Sequence, residues 1–180
     1  IADATGSATP SEGGGVQNEE GSINVRIPAN VAPEALTLLL EELGEPTVAI
    51  NTEWLLPAVA AGIDASLYMT DVIVYRHYAL EGIGASGNVI EHLNGAFATD
   101  LRYADDTLTE DGMTPDDLYC LWFNPEEAKW VPAASGVDTG GKTLTCSTDK
   151  LGKFVLVGAK LTTPQPGDEH QVFLPLAVRP

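Results

Sequence analysis

The chain has 180 residues and a mass of 19.0 kDa, enough for one domain or two small ones sharing a core, and its apolar fraction of 44% permits a packed interior. Its charge is lopsided: 26 acidic residues against 9 basic ones leave a net −17, which repels phosphate backbones and anionic headgroups and argues against nucleic-acid and membrane-surface partners. No stretch approaches the roughly 20 apolar residues of a membrane-spanning helix; Leu36–Leu43 is too short, and Trp54–Ile63 is interrupted by Pro57 and Gly62.

Residues 1–15, IADATGSATPSEGGG, read as a low-complexity tail, because small residues bury too little apolar surface to order themselves. The expectation is a segment held by a neighbouring molecule. Ile1, Ala2, Ala4 and Ala8 are then the candidate intersubunit contacts, being small, weakly apolar and suited to a narrow groove, with Gly13-Gly14-Gly15 as a swivel. The chain opens Ile1-Ala2-Asp3-Ala4 without a Met. That is either an arbitrary boundary or the mature end left by a signal peptidase.

The body spans residues 16–161, as one sandwich or as two sub-sandwiches divided near residues 80–90. In Ser22–Pro28 the residues Ile23, Val25 and Ile27 alternate with polar ones, the pattern of a half-buried strand. Pro33–Leu43 predicts the one helix, with a proline at its start, leucines at 36, 39, 40 and 43, and a stop at Gly44. Thr47–Thr52 reads as a strand, and Leu55–Leu67 as either a short buried helix or a loop. Asp71–Leu80 is β-branched and aromatic, a strong strand pattern. Further strands are predicted at Val89–Leu93, Phe97–Tyr103, Leu118–Phe123, Ala128–Pro132, Lys142–Ser147 and Lys153–Lys160. The turn sequences between them include Ser86-Gly87-Asn88, Asn94-Gly95, Asn124-Pro125 and Gly140-Gly141. Many short strands joined by hairpins imply a mainly β fold, an antiparallel β-sandwich with one short helix near its N-terminal side. Residues 162–170 read as a linker and 171–180 as a terminal strand, the latter bearing the apolar run Val172–Val178 with Pro175 inside it.

There are two cysteines, Cys120 and Cys146, each in a predicted strand. Two unrelated buried thiols are one reading; a disulfide suits an exported chain better. It would close a loop of 26 residues and stabilise the fold by about 3 kcal/mol on the chain-entropy model.

Residues 87–157 resemble a recurring extracellular β-module. The resemblance is carried by Gly87-Asn88-Val89-Ile90, Phe97–Tyr103, Leu118-Tyr119-Cys120-Leu121-Trp122-Phe123, Lys129-Trp130-Val131-Pro132, Thr143-Leu144-Thr145-Cys146 and Lys153-Phe154-Val155-Leu156. The run is similar to the C-terminal part of self-cleaving β-sandwich modules of adhesion receptors, death-domain adaptors and bacterial surface proteins. That family cleaves itself at a His-Leu-Ser or His-Leu-Thr triplet, where the hydroxyl attacks the preceding carbonyl. The matching residues here are Lys150, Leu151 and Gly152, so both nucleophile and base are missing and the resemblance implies a fold without the cleavage. The segment His170–Leu176 also resembles a short tail at the ends of exported proteins of filamentous gliding bacteria.

No other chemistry stands out. His77, His92 and His170 are scattered, and there is no nucleophile elbow, zinc-protease motif or phosphate loop. The acidic run holding Asp105, Asp106, Glu110 and Asp111 is the candidate calcium site, since calcium takes hard oxygen ligands in flexible loops. It lacks EF-hand spacing, and a solvated acidic loop explains it equally. Trp54, Trp122 and Trp130 sit in apolar or strand contexts and read as core rather than as a glycan platform. The sequence therefore points to a secreted or cell-surface structural protein that is not an enzyme and needs no cofactor. It is expected to be a subunit of a filament, sheath or layer, polymerising by exchange of terminal segments. The alternative is a surface adhesin, or a module binding carbohydrate or calcium.

Overall fold

The computed structural model describes residues 2–55 and 69–162. Twelve strands and two short helical turns make up the described chain. The strands are β1 (Ala4–Thr9), β2 (Gly13–Gln17), β3 (Ile23–Ile27), β4 (Leu36–Glu42), β5 (Met69–Gly84), β6 (Val89–Ile90), β7 (His92–Arg102), β8 (Leu118–Asn124), β9 (Lys129–Pro132), β10 (Ala134–Asp138), β11 (Thr143–Lys150) and β12 (Gly152–Thr162). Between β7 and β8 lie α1 (Asp105–Glu110) and a 3-10 turn at Pro115–Asp117. The mainly β, antiparallel reading describes this chain. Its strands form one hydrogen-bonded path, β10-β11-β7-β3-β2-β1-β4-β5-β12-β8-β9, with β6 attached to β5. The path curls nearly into a barrel. Its two ends meet in sequence, because only Ala133 separates β9 from β10. The Ala133 N–H continues the ladder to the Cys120 carbonyl at 2.9 Å before the chain crosses over to β11.

Three expectations are corrected. Residues 1–15 are no free tail. β1 and β2 form a hairpin in the middle of the sheet, β1 pairing with β2 on one side and β4 on the other. Ala8 is buried in the core and Ala4 packs against it, Ala2 is half-buried just before β1, and Ile1 lies outside the described residues. Low complexity here serves close approach. A Cβ on Gly15 would sit 2.0 Å from the Val25 carbonyl oxygen of β3, so only glycine fits between these strands, and Gly13 holds φ +76° as the hairpin turns. The predicted helix at Pro33–Leu43 is strand β4. Leucines at 36, 38, 39 and 40 satisfy both periods, but Leu36, Leu38 and Leu40 alternate into the core while Thr37 and Glu41 point away. The open ladders of β1 and β5 settle the conflict, a tertiary override of a weak local preference. The only α-helix among the described residues is α1. Thr47–Thr52 forms no strand; it packs as an irregular segment across the outside of the sheet.

The remaining strand expectations fall on observed strands, except that Asn94-Gly95 lies inside β7 rather than at a turn. Nothing divides the body near residues 80–90, since β5 runs unbroken to Gly84 and pairs with β4 as far as that residue. Most of the predicted segment Leu55–Leu67, the linker 162–170 beyond Thr162, and the terminal strand 171–180 lie outside the described residues.

Two apolar clusters hold the fold. The larger fills the inside of the curl with residues such as Ile23, Leu38, Tyr78, Phe97, Leu144 and Phe154. The smaller lies on the other face of β12 and β8, where Val155, Val157 and Leu121 meet Trp130 and Leu55. Phe154 and Leu156 face the first cluster and Val155 and Val157 the second, so β12 is buried on both faces. The second face is covered by the segment that includes Ile50, Trp54 and Leu55. Cys120 and Cys146 are disulfide-bonded with their Cα atoms 5.9 Å apart. The bond lies in the larger cluster and fastens β8 to β11, next to the opposite ends of the strand order.

Candidate functional site

The lengths of β4 and β5 differ and open a groove at the surface. β5 has 16 residues and β4 has 7, and their pairing stops at Glu42 opposite Tyr78. One more bond, from the Leu43 N–H to the His77 carbonyl at 2.7 Å, closes the ladder. Beyond it the chain turns away at Gly44, while β5 continues toward Met69 paired only with β12. Among the described residues no strand covers the β4 side of β5 from Asp71 to Arg76. A sheet edge of this kind presents unpaired backbone donors and acceptors.

Between that edge and the segment 43–50 lies a groove of about 550 Å3. Leu43, Pro46 and Val48 form one wall, and Val72, Val74 and His77 the other. Val48 and Val74 are 37% and 36% exposed and are two of the four large apolar residues most open to solvent among those described. The His77 ring stands edge-on to Trp130, centroids 5.8 Å apart. Its Nδ1 lies 2.6 Å from the Gly44 carbonyl oxygen, which only accepts, so Nδ1 donates and in the neutral ring Nε2 is an acceptor. Nε2 is buried and has no partner among the described residues.

The other edge of this face is closed. Trp130 of β9 donates its backbone N–H to Asn51 Oδ1 at 2.6 Å, and its carbonyl accepts from Asn51 Nδ2 at 2.9 Å. One side-chain amide thus stands in for a neighbouring strand. The three tryptophans are similarly committed: Trp122 donates its indole N–H to the Leu151 carbonyl at 3.1 Å, Trp130 to that of Val48 at 3.1 Å, and Trp54 to that of Asn51. Trp130 is buried, whereas Trp54 and Trp122 are half-buried.

The calcium candidates are not brought together. Asp105 and Asp106 begin α1 and Glu110 ends it, with Leu108 anchoring the helix in the core. Asp105 pairs with Lys142, and Asp111 accepts from the Tyr75 hydroxyl at 3.0 Å; burial and that carboxylate push the Tyr75 phenol up to about 12. Among the described residues no three acidic, histidine or cysteine side chains converge to hold a metal ion. The helix fixes these acids along its outside, and Asp105 at its start and Asp111 just past its end have partners already.

Lys150, Leu151 and Gly152 form the corner from β11 to β12, with Gly152 at φ +136°. His92 of β7 stands across from Lys150, and no hydroxyl side chain occupies the corner. A depression of about 380 Å3 beside it is lined by Val89, Ile90 and Trp122. Polar order is strongest on the outside of β3, β7 and β11. There Asp100 accepts from Arg26 Nε and Nη2 at 2.8 and 2.9 Å and from the Thr145 hydroxyl at 2.7 Å. The Arg26 guanidinium holds the Asp100 carboxyl below its ordinary value, opposed by partial burial.

The sequence reading missed Asn51 and the groove. A signal for the groove was present: Val72, Ile73, Val74 and Tyr75 are consecutive apolar residues, so both faces of that strand require cover. No protein-family model matches this chain, and a search of curated proteins finds no match.

Proposed function

We propose that this chain is a non-catalytic structural module of the cell exterior that assembles with its own kind through a terminal segment. The observation that carries the reading is the edge of β5 from Asp71 to Arg76, which no strand among the described residues pairs, in a sheet that guards its β9 edge with Asn51. A core disulfide supports an oxidising compartment, as does the resemblance of residues 87–157 to extracellular modules. The N-terminal segment is spent inside its own sheet, and the apolar stretch Val172–Val178 offers a segment to exchange. Donated-strand contacts are head-to-tail and do not close, so they build open polymers. Sedimentation velocity of the full, oxidised chain over a concentration series tests this, with negative-stain images of the same samples. Species growing with concentration and linear particles are expected; a monomer throughout would overturn the reading.

A further inference from the structure

We propose that the groove between β5 and residues 43–50 is the acceptor site for residues 171–178 of a second copy, which add to β5 as an antiparallel strand. The inference rests on the assembly reading above and names its site and its occupant. The chemistry matches on three counts. Gln171-Val172-Phe173-Leu174-Pro175-Leu176-Ala177-Val178 is an apolar stretch of strand length without a charge, and the groove offers Val48 and Val74 open to solvent beside Leu43, Pro46 and Val72. The edge supplies main-chain hydrogen bonds and the groove walls supply side-chain contacts, the division of labour in strand addition. Pro175, which cannot donate to a ladder, is tolerated in a strand that forms a new edge. The other open edge suits this occupant less well, because every residue of β10 is exposed and its sequence, Ala-Ser-Gly-Val-Asp, offers no apolar wall.

Chain length argues for a second copy rather than the chain's own segment. β12 ends at Thr162 opposite Met69, on the far side of β5 from the groove. Every strand pair in this sheet is antiparallel. To enter the groove antiparallel to β5, the chain's own segment must first travel back beside β5 from Met69 to His77, about 27 Å. The nine steps from Thr162 to Gln171 span about 32 Å at full stretch, short of the roughly 37 Å needed to run that length and also cross two strand spacings around the end of β5. A neighbour's segment meets no such limit. The contact is also apolar, the kind that can hold together copies each carrying −17.

The test uses two full-length variants, Val74→Asp in the groove and Phe173→Asp in the segment, each followed by sedimentation velocity and by melting. Val74 is exposed, so its variant is expected to melt as the parent does. Neither variant alone should assemble, and an equimolar mixture should give a single species of two chains, because one supplies an intact segment and the other an intact groove. If Val74→Asp assembles like the parent while Phe173→Asp does not, the segment docks elsewhere, which overturns this site but not the assembly reading. If both variants assemble like the parent, or the parent is monomeric at every concentration, the assembly reading fails and this site with it. A monomeric parent whose melting temperature falls on Phe173→Asp would place the segment in its own molecule, which overturns the second-copy assignment.

Discussion

Gly15→Ala separates a free N-terminal tail from a central strand with one methyl group. An added Cβ meets the Val25 carbonyl oxygen at 2.0 Å and its carbonyl carbon at 3.1 Å. Both are backbone atoms of β3, which is itself held by β7 through the pair Val25 and Thr99. No side chain can swing away to relieve the contact, so β2 and β3 must part in the middle of the sheet. Overpacking of this kind costs about 3 kcal/mol, which for a chain of this size lowers the melting temperature by about 9 °C. Gly136→Ala is the control: Gly136 lies in the exposed strand β10 with nothing within 4 Å of its added Cβ, and a change within about 0.5 kcal/mol is expected. Urea unfolding reads both, the Gly15 variant losing midpoint with an unchanged slope. In a free tail the same methyl group would be harmless. A Gly15→Ala midpoint equal to that of the parent would therefore refute the placement of β2.

Reduction of the disulfide, or the Cys120→Ala/Cys146→Ala pair, should cost about 3 kcal/mol through the reopened 26-residue loop, read as a drop in melting temperature of about 9 °C; an unchanged melt would show that the ends of the sheet are held by packing alone. Asn51→Ala leaves the N–H and carbonyl of Trp130 without their partners, a loss of about 2 kcal/mol, and it should raise light scattering by exposing a further sheet edge; unaltered stability and scattering would contradict the guarding role. Asp100 has a folded-state pKa below its ordinary 3.8, so its contribution is complete above that value and disappears as pH falls through the lower, folded one. Asp100→Asn should cost about 1 kcal/mol near neutrality, as befits a partly exposed pair, and the deficit should vanish in acid; a deficit that persists there would assign the loss to packing.

Period-2 patterning made Ile23–Ile27 and most strands after residue 70 legible, because their apolar residues face one packed interior. Cys120 and Cys146 were legible as a pair through the strands that carry them. β1 and β2 were not, because their stability comes from neighbours: alanine and glycine have little to bury, yet they let three strands lie close together. β4 failed for a different reason. Its leucines fit two periods, and only the ladders of β1 and β5, far away in sequence, decide between them. The groove was half legible. The run Val72–Tyr75 announces a strand in need of cover on both faces, but the early end of β4 depends on Gly44 turning the chain, which no periodicity records. The acidic run at 105–117 misled because composition does not reveal that a helix spaces these carboxylates and that Lys142 and Tyr75 already pair with Asp105 and Asp111.

Amide hydrogen exchange of β5 before and after assembly tests the central claim most directly, since an added strand must protect the backbone it pairs with. The assembled parent, compared with the Phe173→Asp variant, is expected to gain protection at alternate amides between Asp71 and His77, while β10 exchanges as before. Assembly that leaves the amides of residues 71–77 exchanging at the rate of the variant, or that protects β10 instead, would contradict the account.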